Sequence, residues 1–112
     1  MNVDLRIYSD DKKTLKGVKE KQKTTYATLI KSILTYYSSL PVEELAEIIL
    51  DQQQERTVRQ ETITIKESTI SKESIHLRKV YNALLTKNPR LEFKEMLCII
   101  FHHFIDTKPL DK

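Results

Sequence analysis

Residues 2–10 read "NVDLRIYSD". Apolar Val3, Leu5 and Ile7 alternate with polar Asn2, Asp4 and Arg6, the period of a strand with one dry face and one wet face. A Ser9-Asp10-Asp11 run then ends the alternation. A lone strand in water leaves its backbone donors and acceptors unpaired, so this segment requires a partner. One other stretch reads convincingly as a strand: "ETITIKES", residues 61–68, where Ile63 and Ile65 alternate with Thr62, Thr64 and Lys66. The expected partner of strand 2–8 is strand 61–67, from the same chain or from a second copy.

Outward from these strands the sequence reads as helix. Ser9 or Asp10 is positioned to cap a helix to about Gln22, with Leu15 and Val18 on its apolar side and Lys12, Lys16, Lys19 and Lys23 forming a positive stripe. Gly17 lowers its propensity. Thr24 or Thr25 then caps "YATLIKSILTYYSSL", in which Tyr26, Leu29, Ile30, Ile33, Leu34 and Tyr37 make a wide apolar face. Pro41 separates this from a third helix over 42–56, which serves as a spacer or as a surface for a second copy. After the second strand, Ser71 caps a helix to about Lys87, "NPR" breaks it, and "LEFKEMLCIIFHHFI" is a strongly apolar final helix. The expected fold class is α+β and mainly helical. A first strand–helix–helix unit spans 1–40, a connecting helix 41–58, a second such unit 59–106 and a frayed tail 107–112.

Composition narrows the class. The chain has 112 residues, 39% apolar and 31% charged, enough for one soluble domain or for two small units sharing a core. One glycine and three prolines disfavour a loop-rich sandwich or barrel. The single cysteine, Cys98, excludes an intrachain disulfide framework and fits a reducing cytoplasm. "MLCIIF" is too short to span a bilayer and no secretory signal opens the chain, so no membrane partner is expected. Residues 1–40 hold eight Lys/Arg against four Asp/Glu, a local net of +4 that suits a polyanionic partner.

The pattern carried by "VDLRIYSDD", "LKGV" and "KTTYATLIKSILTYY" resembles the ribbon-helix-helix family of DNA-binding proteins, with Gln22-Lys23 standing where that family usually has a glycine. The resemblance implies a two-stranded antiparallel ribbon in the major groove of double-stranded DNA. Arg6 would then offer a forked hydrogen bond to guanine and Asn2 one to adenine, while Asp4 would accept from cytosine. The resemblance further implies that the start of the second helix, at Lys23, Thr24 and Thr25, grips a phosphate. Thr62, Thr64 and Lys66 occupy the matching outward face of the second strand, while Leu91 and Glu92 fall where Thr24 and Thr25 sit. Two such units in one chain resemble plasmid accessory proteins that mark a transfer origin for a relaxase. Transcriptional repression with self-association on DNA is the related expectation.

Blander readings account for the same residues. An edge strand commonly turns polar side chains to water, threonines cap helices with or without DNA, and a lysine stripe is commonly a solvated face. A ribbon-helix-helix antitoxin would use the first forty residues for DNA and residues 61–67 to bind a toxin. A helical oligomerisation module would have no DNA role. Cys98, His102 and Asp106 share one helix face, but a fourth ligand is missing, so a core cysteine and surface histidines are expected rather than a metal site. No nucleophile–base pattern or Gly-rich phosphate loop is present, and neither catalysis nor a cofactor is expected.

Overall fold

A computed structural model describes residues 1–52 and 59–107. It is α+β and mostly helical, with five helices and a two-stranded antiparallel sheet. The order is β1 (Asn2–Tyr8), α1 (Ser9–Gln22), α2 (Tyr26–Ser38), α3 (Val42–Gln52), β2 (Gln60–Lys66), a single 3-10 turn (Glu67–Ile70), α4 (Ser71–Leu85) and α5 (Phe93–Thr107). The alternation of the two strand segments decides the sheet. β1 and β2 pair along their whole length, Asn2 against Lys66 through Leu5 against Ile63 to Tyr8 against Gln60, within one chain. Ser9 N–H donates to the Arg59 carbonyl at 2.8 Å, and Glu67 N–H to the Met1 carbonyl at 3.0 Å, so the ladder extends one step beyond each end.

The dry face of this ribbon, with Leu5, Ile7, Ile63 and Ile65, closes one side of a core otherwise made by helices. α5 lies on β1 and α2 on β2, so the second helix of each half of the chain covers the strand of the other half. α3 packs on α4 and α5 through Leu45 and Ile49. Burial recurs with the same spacing in both halves: Asp11, Leu15 and Val18 in α1 match Glu73, Leu77 and Val80 in α4. Ile30, Ile33 and Leu34 in α2 likewise match Leu97, Ile100 and Phe101 in α5.

The helix starts differ from expectation. Ser9 is the first residue of α1, preceded by Tyr8, and no side chain caps it. The Ser9 hydroxyl instead donates across the ribbon edge to Glu61 Oε2 at 2.9 Å. Ser71 opens α4 without capping it, its hydroxyl donating to the Ser68 carbonyl at 3.3 Å, because the 3-10 turn already supplies carbonyls to the first turn. α5 begins at Phe93 rather than Leu91, since Leu91 is buried in the turn and its carbonyl accepts from Tyr81 Oη. The final helix includes Thr107, placed in the tail by sequence; residues 108–112, and the expected end of the third helix at 53–56, lie outside the described residues. Among the described residues, no helix is long and apolar enough to cross a membrane.

Candidate nucleic-acid interface

Strand geometry sorts the side chains onto two faces. Asn2, Asp4 and Arg6 from β1, with Thr62, Thr64 and Lys66 from β2, are all exposed on the side away from the helices. Six of the nine sequence-selected residues therefore converge on one surface. Cross-strand neighbours are Asn2 with Lys66, Asp4 with Thr64, and Arg6 with Thr62. The Thr64 hydroxyl donates to Asp4 Oδ1 at 2.6 Å, which occupies part of the carboxylate's accepting capacity and fixes its direction. Arg6 has no hydrogen-bond or ion-pair partner among the described residues, so its donors are available to a ligand.

Sequence reasoning missed Gln60. It is exposed on the same face, opposite Tyr8 and beside Arg6. Extending the Thr62–Thr64–Lys66 alternation back by two positions would have found it. Tyr8 breaks the alternation: although it shares parity with Arg6 it is only 6% exposed, its ring lying edge-on to His102 at 5.5 Å. The outward face thus ends at Arg6 on β1.

Lys23, Thr24 and Thr25 lie at the turn between α1 and α2, and no described contact joins them to the outward face. Lys23 adopts φ 53°, the left-handed conformation that glycine usually supplies at a helix end. Its N–H and that of Thr24 close onto the carbonyls of Glu20 and Lys19. Thr25 Oγ1 accepts from Thr28 N–H at 3.2 Å and caps α2. The first-turn donors with no helical acceptor are then the N–H groups of Tyr26 and Ala27, and the Thr24 N–H expected there is already taken. Lys19 Nζ stands 4.4 Å from the centre of the Tyr26 ring and adds positive charge at that end. At the matching start of α5, Glu92 and Glu95 share a hollow with Arg6, Gln60 and Lys94. The two helix starts differ in charge: cationic at α2, and mixed at α5.

Two buried carboxylates tie the halves together beneath this surface. Asp11 Oδ2 meets His102 Nδ1 at 2.9 Å, and Glu73 Oε1 accepts from Lys31 Nζ at 3.2 Å and Thr35 Oγ1 at 3.0 Å. In each pair the acid comes from the first helix of one half and its partner from the second helix of the other. Burial alone would push the Glu73 carboxyl up, but bonds to its own backbone N–H, to Lys31 and to Thr35 outweigh that and hold it below its usual value. Its Oε2 has no partner, so the pairing is one-sided. His102 is thereby committed to Asp11, Cys98 is buried, and Asp106 is exposed; no group of three metal-ligating side chains forms among the described residues.

Comparison with known proteins adds no neighbour: no family model matches the chain, and no curated protein or solved structure is detectably similar to it.

Proposed function

We propose that the protein binds double-stranded DNA sequence-specifically, laying the β1–β2 ribbon in the major groove as two ribbon-helix-helix-like units joined in one chain. The observation that carries this reading is the ribbon itself. Its full-length pairing places Asn2, Asp4, Arg6, Thr62, Thr64 and Lys66 on one exposed face, backed by a helical core. A two-stranded ribbon has the width the groove admits, and these side chains carry the donors and acceptors that distinguish base pairs. The recurrence of burial in both halves supports the paired-unit arrangement. Because the strands differ, the subsite read is asymmetric, unlike the palindromic site of a symmetric dimer. Repression and service as an accessory factor at a plasmid transfer origin, beside a relaxase, both use such a protein, and neither assigns it a catalytic step. The antitoxin alternative has residues 61–67 join a toxin instead of pairing with 2–8, whereas here β2 pairs with β1 along its whole length, which favours the ribbon reading.

The test is a footprint on DNA flanking the protein's own coding region, repeated across a salt titration. A protected, non-palindromic site with affinity that falls on a log–log salt plot is expected. Arg6→Ala should weaken specific binding by about 1–3 kcal/mol and relax preference at one base pair. An unchanged affinity and footprint for Arg6→Ala would remove the ribbon from the interface.

A further inference from the structure

The two halves differ beneath the ribbon. In the first, the strip between α1 and β2 is crossed by two contacts: Ser9 Oγ donates to Glu61 Oε2, and Lys12 Nζ donates to the Thr62 carbonyl at 3.2 Å. Matching the buried positions of α1 with those of α4 places Ser71 in the position of Ser9 and Ser74 in that of Lys12. Matching the paired strands places Val3 and Asp4 in the positions of Glu61 and Thr62. A serine cannot span what a lysine spans, and Val3 offers Ser71 no carboxylate. The connection is also longer, because Glu67–Ile70 intervenes between β2 and α4 whereas β1 runs straight into α1.

The result is a cleft of about 330 Å³. Val3, Leu5, Ile70 and Leu97 give it an apolar lining, and Ser74 contributes a hydroxyl. Its acid, Glu67, comes from the turn after β2, and Asp4 borders it at the edge of β1 with its carboxylate turned outward to Thr64. Its bases, Arg78 and Lys94, come from α4 and α5, with the Arg78 guanidinium stacked 4.4 Å from the centre of the Phe93 ring. Charges of both signs around an apolar lining match a molecule that is itself doubly charged, and the volume lies at the small end of ligand pockets.

We propose that this cleft binds a free α-amino acid with an apolar side chain, its ammonium toward the Glu67 carboxylate and the Asp4 carbonyl, its carboxylate toward Arg78 and Lys94, and its side chain on Leu5 and Leu97. The ammonium then takes the role that Lys12 fills in the other half, bonding the outer strand. This site does not rest on the DNA-binding reading, and it is measured on the full-length protein without DNA. Calorimetric titration uses L-phenylalanine and L-leucine, with phenethylamine and 3-phenylpropionate as ligands lacking one charge each. Saturable binding of at least one amino acid is expected, with each singly charged analogue weaker by about tenfold or more, since each forfeits one charge-assisted contact.

Ser74→Lys restores the lysine of the first half and should abolish binding, while Ser74→Ala retains it; circular-dichroism melts establish that both are folded. Arg78→Gln, an exposed change that spares the core, should weaken the amino acids and leave phenethylamine unaffected, which keeps the test decisive if Ser74→Lys fails to fold. The proposal is overturned if neither amino acid saturates, if the analogues bind as well as the amino acids, or if folded Ser74→Lys binds like the parent protein.

Discussion

Lys23 holds a backbone conformation that costs an L-residue about 1 kcal/mol, and it does so because the turn into α2 demands it. Lys23→Gly should therefore raise stability in urea unfolding by up to about 1 kcal/mol. If Lys23 also meets a phosphate, the same change should weaken duplex binding to all sequences alike and reduce the salt slope by about 1. Stability and affinity moving in opposite directions is the signature; a loss of stability would show that the turn does not require the left-handed form. Nothing in "QKTT" announces this geometry, since both Gln22 and Lys23 favour helix and the usual glycine is missing. Alternation, by contrast, made each outward residue of β1 legible before any fold was known. The burial of Cys98 was legible too, from the apolar helix around it, but its neighbours Asp11 and Tyr8 were not. Burial, aided by the nearby Asp11 charge and only partly opposed by Tyr8, pushes its thiol from 9.0 up to about 12. Between those values the folded chain keeps a proton that the unfolded chain loses, so stability falls as pH rises from about 9 toward 12. Burial also raises Tyr37, which acts in the same direction. The melting temperature of the parent protein should drop through that alkaline window, and less steeply in Cys98→Ala; parallel curves would show that the thiol plays no part.

At the level of elements, period was the reliable guide and boundaries were not. Strand pairing and the number of helices followed from where apolar residues recur, because burying one face is what stabilises each element. The 3-10 turn at Glu67–Ile70 was illegible, as "ESTI" carries no period, and the ladder bond from Glu67 N–H to the Met1 carbonyl that precedes it is long-range. The buried acids were equally hidden. Asp11 looks like a first-turn residue serving the helix dipole, and only the arrival of His102 from α5 shows why it is tolerated at 5% exposure. α1 contains the chain's single glycine, exposed, with nothing within 4 Å of a Cβ built there and no positive φ. Gly17→Ala should stabilise the protein by about 0.5–1 kcal/mol, by removing backbone entropy from the unfolded chain. Denaturant unfolding checks it. A destabilised Gly17→Ala would mean that this face of α1 packs against something, a second copy of the chain being the first candidate.

For the whole molecule, the decisive feature is that the second helix of each half lies on the strand of the other half. α5 packs on β1 and α2 on β2, while Asp11–His102 and Glu73–Lys31 join the halves from opposite directions. Cutting between residues 58 and 59 would expose the apolar faces of α2 and α5, leave each strand without its ladder partner, and strip both acids of the side chains that bond them across the halves. The expected outcome is that fragments 1–58 and 59–112, expressed separately, show no cooperative thermal transition. Mixing them in equal amounts should restore one, because every contact crossing the cut is non-covalent and complementary. Circular dichroism of each fragment and of the mixture, with sedimentation to establish a one-to-one complex, reads this directly. The informative opposite is a stable homodimer of 1–58 that binds the same DNA with comparable affinity. Its ribbon would be symmetric, β1 pairing with β1, and its target palindromic. The second half would then be free for another task, and the asymmetric subsite proposed for the intact chain would be lost with it.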